Sequence, residues 1–176
     1  MTLFVERALF VVAPQDSGKS TALRSMFLDR RLGTNGVIPT QSRIPEIYHL
    51  SNDRRLYLRM TSPHESRETP KKFIEKSKNK MDSGRCCFAG ALQPNAFRKM
   101  PDLVETVNIF IKAFEPERIR VVFLSPNRHG QGIDSFIPGR DLPGELSAHK
   151  NVEVVCIDGR NRDKNGLFLA DFFDFT

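Results

Sequence analysis

The feature that most constrains this chain is the stretch from Ala8 to Thr21, ALFVVAPQDSGKST: consecutive apolar residues, a turn-rich segment, then Gly-Lys-Ser-Thr. The unbroken run from Ala8 to Val12 suits a strand covered on both faces, not one that alternates between core and water. Small, polar and turn-forming residues then end the run. From Lys19 the spacing changes, with Leu23, Met26 and Phe27 on one helical stripe. A helix is expected over residues 19–31, closed by Gly33. A buried strand that turns tightly into an amphipathic helix calls for an α/β framework.

The alternation continues along the chain. Residues 44–50 and 56–61 read as an antiparallel hairpin, with Leu56, Leu58 and Met60 alternating with Tyr57, Arg59 and Thr61. Thr69-Pro70 is an N-cap with a first-turn proline, and the helix it opens runs to about Gly84. Residues 85–92 form a third apolar run. Pro101 opens a helix that turns Leu103, Val104, Val107, Ile111 and Phe114 inward and stops at Pro116. Strands are expected at 119–124 and 152–157. Between them, residues 125–150 read as one long loop, a length that marks functional or mobile segments. A last helix over 165–173 would dock through Leu167, Phe168, Phe172 and Phe173. Together these elements predict one three-layer α/β domain over 1–176, with a mostly parallel sheet and one antiparallel hairpin strand.

Composition narrows the function classes. Hydrophobic residues make up 39% and charged residues 27% of the chain, a globular balance, and no apolar run approaches the roughly 20 residues of a membrane span. The opening MTLFVERALFVV lacks a basic leader region and a small-residue cleavage site, and Glu6 and Arg7 interrupt it, so it reads as a strand. Cys86, Cys87 and Cys156 are odd in number and lack CxxC spacing. They read as free thiols of a reducing cytoplasm, not as a disulfide framework or a zinc site. The net charge of +6 suits an anionic partner without choosing one. The basic run Lys71, Lys72, Lys76, Lys78 and Lys80 reads as the solvated face of a helix whose apolar side is Phe73, Ile74 and Met81. It carries no interleaved aromatics, so no motif indicates a nucleic acid.

Ala13-Pro14-Gln15-Asp16-Ser17-Gly18-Lys19-Ser20 matches GxxxxGK[ST] at every fixed place but the first, where alanine stands for glycine. Gly18 lets backbone approach an anion with no Cβ in the way. Successive N–H groups of the loop and first helical turn, Thr21 included, would face phosphates, with the helix dipole behind them. On these residues, and on their place between a buried strand and an amphipathic helix, the chain resembles the P-loop NTPases. The resemblance implies that Lys19 reaches the β- and γ-phosphates, that the Ser20 hydroxyl ligates Mg²⁺, and that ATP or GTP is bound.

The remaining layout resembles a GTPase-like member of that family, with degenerate motifs. By that resemblance Thr40 falls where a switch threonine would close over Mg²⁺. Thr61-Ser62-Pro63-His64-Glu65 falls where DxxG and the water-positioning residue would stand, which makes His64 and Glu65 the catalytic candidates beside Lys19. Asn127-Arg128 stands at the start of an NKxD-like position and would contact the nucleotide, but Gly130 replaces the aspartate that reads guanine. Strong guanine selectivity is then not expected unless Asp134 or Asp158 supplies it, and the reading leans to ATP. No aspartate ends the 56–61 strand, so the usual carboxylate behind Mg²⁺ is missing. Asp158 ends the string VEVVCID and reads as a strand-end loop residue, with a base or ribose contact and a metal carboxylate as alternatives. Arg128, Arg140, Arg160 and Arg162 are candidate transition-state cations. Three functions remain open: an NTP-hydrolysing switch or ATPase subunit, a phosphotransferase with 125–150 as a lid, and a nucleotide-bound module that holds a protein partner.

Overall fold

The computed structural model describes residues 1–175. Six strands form one sheet in the order β2-β3-β4-β1-β5-β6. They are β1 (Leu3–Val12), β2 (Ile47–His49), β3 (Arg54–Arg59), β4 (Gly84–Leu92), β5 (Arg118–Leu124) and β6 (Val152–Ile157). Only the β2–β3 pair is antiparallel. This is the expected α/β sheet with one antiparallel hairpin strand. β1 is central, paired with β4 on one side and β5 on the other, and Ala8 to Ala13 are fully buried.

Helices cover both faces. α2 (Pro70–Met81), α3 (Leu103–Phe114) and the short α5 (Leu142–Ser147) pack on the face that carries Phe10, Phe88 and Val121. α1 (Lys19–Ser25) and α6 (Arg162–Asp171) pack on the face that carries Leu9, Val11 and Val122. The capping signals act as local chemistry requires. Thr69 accepts the Lys72 N–H ahead of α2, and Asp102 accepts the Glu105 N–H ahead of α3. The first of these faces is closed by aromatic contacts, with Phe10, Phe88 and Phe110 centroids 4.9 to 5.4 Å apart.

Several expectations are corrected. The first helix stops at Ser25 and continues as 3-10 turns at Met26–Leu28 and Arg30–Leu32. Asp29 is extended and caps the second turn by accepting the Arg31 N–H, which interrupts the α-helical ladder. Gly33, at φ 89°, does end the segment. β2 is three residues, not seven. Residues 125–150 are not one long loop: they hold α4 (Ile133–Phe136) and α5, whose Leu142 and Leu146 are fully buried. Helix α6 is turned from the expected phase. Leu167 and Phe168 face outward at 51% and 39% exposure, while Leu169, Ala170, Phe172 and Phe173 are buried. Gly166 sets that phase, because a Cβ there would lie 2.0 Å from the Ser25 carbonyl oxygen. The two backbones touch at that point, and only glycine permits it.

No helix among the described residues is long and apolar enough to cross a membrane. Cys86 and Cys87 are buried free thiols, and Cys156 is an exposed one.

Candidate functional site

The loop between β1 and α1 lies at the C-terminal end of the central strand, where open α/β sheets place their ligands. Gly18 adopts φ 98° and ψ 12°, the left-handed conformation, and gives α1 no side-chain cap. Asp16 is also left-handed, at φ 57°. These two bends wrap residues 15–21 around a hollow of about 220 Å³, which Glu65 and Arg128 complete. That volume is below the usual range for a whole small-molecule ligand and suits a chain of oxyanions.

Lys19 dominates the electrostatics. It is 4% exposed, donates to the Pro14 carbonyl oxygen at 2.8 Å, and has Glu65 Oε1 at 3.4 Å. Burial lowers the pKa of its ammonium, against the raising influence of Glu65. One ammonium carries three donors, so these two partners, one of them long, leave it incompletely satisfied. Ser20 donates its hydroxyl to the Met60 carbonyl oxygen at 3.2 Å, which ties the first helical turn to the end of β3.

β4 stands between β3 and β1, so the turn after β3 must cross the end of β4 to reach Lys19. It does so through Glu65. The Glu65 N–H donates to Ser62 Oγ at 3.2 Å, Gln93 Nε2 donates to Glu65 Oε1 at 3.3 Å, and Arg98 Nη1 donates to the Glu65 carbonyl oxygen at 3.4 Å. Gln93 follows the last residue of β4 and is missed by sequence reasoning. Its only signal is a polar residue immediately after the apolar string CCFAGAL.

Other sequence candidates lie elsewhere. His64 is fully buried and does not line the hollow: its Nε2 is 2.8 Å from the Pro101 carbonyl oxygen, which fixes the proton on Nε2 and spends that group on joining the turn to α3. Its Nδ1 has no partner among the described residues, and burial lowers its pKa, so the ring is neutral at pH 7. Thr40 is exposed and absent from the hollow, because its segment runs beside α1, where Arg24 donates to the Pro39 and Ser42 carbonyl oxygens. Asn127 is fully buried in a turn of its own. Its Oδ1 accepts the His129 and Gln131 N–H groups and its Nδ2 donates to Gln131 Oε1, so the side chain is turned to its own turn and does not line the hollow.

That turn does deliver its neighbours. His129 Nε2 lies 3.0 Å from the Asp16 carbonyl oxygen, and Arg128 lies across Gly18, 3.7 Å from where a Cβ would be. Of the four candidate arginines only Arg128 reaches the hollow. Arg140 pairs with Asp102 and Glu145, Arg160 pairs with Asp158, and Arg162 is an exposed residue of α6. Asp158 lies at the end of β6, with β5 between it and β1, and the Arg160 beside it holds its carboxyl down at about 2.

Among the described residues no group of three or more His, Cys, Asp and Glu side chains is placed to hold a metal by itself. The side chains that line the hollow with Lys19 include the Ser20 hydroxyl and the Glu65 carboxylate. Such a pair suits an ion that takes one or two protein oxygens and draws the rest from phosphates and water, as Mg²⁺ does. Comparison with protein-family models, with curated proteins and with solved structures finds no match to this chain.

Proposed function

We propose that the chain binds a nucleoside triphosphate, ATP or GTP, with its phosphates in the hollow around Gly18 and Lys19, and that it hydrolyses the terminal phosphate. The observation that carries this reading is Lys19: a buried cation at the centre of a glycine-bent loop, faced by a space sized for oxyanions and held by one carbonyl and one long ion pair. An entering phosphate oxygen would take the place of Glu65 on the ammonium. Charge neutralisation would come from Lys19 on one side and Arg128 on the other.

Bound Mg²⁺ would supply further neutralisation of the phosphate oxygens, held on the protein side by Ser20. Freed from Lys19, Glu65 would face the phosphates with Gln93 steering it, and a carboxylate there can orient or deprotonate a water. The pyrophosphate portion fills the small hollow, so the base must lie outside it. Asn127 is buried in its own turn, and Gly130 stands where a guanine-reading aspartate would be. The reading therefore leans to ATP.

Fluorescent ATP and GTP analogues, titrated with and without Mg²⁺ and followed by phosphate release on the same sample, test it. Mg²⁺-dependent binding with turnover that Lys19→Ala abolishes is the expected result; no association of either nucleotide at millimolar concentration defeats it. One observation favours a second reading, a nucleotide-bound module that holds a protein partner without turnover: β3 ends at Arg59 and is followed by Met60 and Thr61, with no carboxylate there to support a metal. Tight binding with no phosphate release distinguishes that case.

A further inference from the structure

The sheet has two edges, and they are finished differently. On one side it ends in β2, a strand of only three residues. On the other it ends in β6, six residues paired with β5 without a register break, and no strand lies beyond it among the described residues. The Ile119 N–H donates to the Asn151 carbonyl oxygen at 2.8 Å, and the Ser125 N–H to that of Ile157 at 2.9 Å. A parallel ladder repeats every second residue, so the odd-numbered residues of β6 turn their N–H and C=O groups to β5. Val154 and Cys156 turn theirs outward, and no hydrogen bond from the described residues reaches those groups.

Sheets blunt an open edge with proline, lysine, a bulge or brevity. β6, which reads VEVVCI, has none of these. Its one charged residue, Glu153, is drawn to Arg120 of β5 at 2.7 Å. The Arg120 guanidinium also lies over Phe168 of α6, 5.0 Å from the ring centroid, so this exposed ring extends the apolar surface beside the strand. Cys156 is exposed on the strand itself.

We propose that this edge binds a second copy of the chain, the two β6 strands pairing antiparallel about a two-fold axis at Val155 and joining the two sheets into one. The open groups choose both the occupant and the register. With the axis at Val155, Val154 of each copy faces Cys156 of the other, and the two pairs exchange bonds that use every outward N–H and C=O of both residues. With the axis at Val154, Cys156 would face Val152, whose N–H is already spent on the His149 carbonyl oxygen at 3.2 Å. With the axis at Cys156, Val154 would face Asp158, whose carbonyl oxygen already accepts from the Asn161 N–H and Asn165 Nδ2. The edge is thus complementary to itself in one register. That register also sets Glu153 opposite Ile157, so no like charges meet across the ladder. This inference does not rest on nucleotide binding, because antiparallel pairing carries the two loops around Lys19 to opposite ends of the joined sheet.

The test is sedimentation velocity of the full chain from about 1 to about 200 μM, where a monomer–dimer equilibrium is expected. Cys156→Pro removes an outward N–H without touching the ladder to β5, and should leave a monomer. Val155→Lys, which sets like charges against each other at the axis, should weaken the dimer at least about tenfold and keeps the test valid should the proline variant fail to fold. Lys78→Glu on α2, beside β3 at the other end of the sheet, should change nothing. A bismaleimide of about 8 Å reach should join Cys156 to its copy, since diagonal neighbours across such a ladder lie about 7–8 Å apart. Cys86 and Cys87 are buried and should not react. Amide exchange at Val154 and Cys156 should slow as the chain is concentrated, whereas the Val155 amide, which β5 already holds, should not change. The proposal is overturned if the chain sediments as a monomer throughout, if Cys156→Pro and Val155→Lys dimerise as the parent does, or if a dimer forms that the reagent does not join through Cys156.

Discussion

The two ends of the sheet both bury charge, and they bury it differently. At the N-terminal end, Glu6 sits at the bulge in β1 with both oxygens bonded to Arg54, at 2.7 and 3.1 Å, and to Arg85 at 2.8 Å. Arg54 also donates to the carbonyl oxygens of Phe173, at 2.7 Å, and Asp174. Arg7 adds a bond to the Phe172 carbonyl oxygen. Every strong group there has a partner, and the cluster fastens the chain's last turn to the sheet. At the C-terminal end Lys19 is just as buried but has one long ion pair and a carbonyl. Saturated buried charge behaves as structure; unsaturated buried charge next to a hollow is available to a ligand.

That contrast can be broken experimentally, most sharply at Arg54. Arg54→Ala leaves Glu6 buried with one cation fewer and strips two carbonyl groups of their donor. Urea unfolding should show a loss of about 3–5 kcal/mol. A loss no larger than that of an exposed pair would erase the distinction.

The opposite behaviour is expected of Lys19→Met. Removing a buried cation that is poorly paired should move stability by no more than about 1 kcal/mol. Nucleotide affinity should fall at least about a hundredfold, or about 2.8 kcal/mol. Equilibrium unfolding and analogue titration on one preparation separate the two effects, and a large stability loss with intact binding would reverse the assignment of the two ends.

Gly166→Ala probes the strut between them. α6 leaves the loop end of the sheet and delivers Phe172 to Asp174 to the Arg7 and Arg54 donors. A methyl aimed at the Ser25 carbonyl must displace it, and a thermal scan should report destabilisation of about 2–3 kcal/mol. Because the strain reaches the saturated cluster first, nucleotide affinity should change less than stability does.

The smallest effect concerns His64. Burial lowers its folded-state pKa, so the unfolded chain takes up the proton first as pH falls below about 6.5. The contribution is intact above that pH and is lost as pH drops toward the folded value, at no more than about 1.4 kcal/mol per pH unit. His64→Gln keeps a donor for Pro101 and should flatten the slope of stability between pH 7 and 5. An unchanged slope would show that the acid sensitivity of the loop end lies in its carboxylates.

Much of the fold was legible before any tertiary contact was known. β1, α2, α3, β5 and β6 follow from periodicity, capping residues and prolines, which act within one turn or one strand. What escaped has a common cause. The phase of α6 depends on a backbone contact between Gly166 and Ser25, far apart in sequence. The short helices at 133–136 and 142–147 are held in part by burial of Leu142 and Leu146, which their own propensity does not announce. The turn beginning at Asn127 resembles a base-reading motif only until its internal hydrogen bonds are seen. Within the candidate site, the loop of residues 13–21 and Glu65 could be named from the sequence, whereas the involvement of Gln93 could not.

By itself, then, the sequence determined the alternation of strands and helices, the glycine-bent loop ahead of Lys19, and the capped ends of α2 and α3, because each rests on neighbours within a few residues. Only the tertiary structure decided that β4 would stand between β3 and β1, that Glu65 and Gln93 would meet Lys19, and that Glu6 would be saturated by Arg54 and Arg85. Those meetings depend on sheet order and on which charges find enough partners once water is excluded. No local pattern encodes either one.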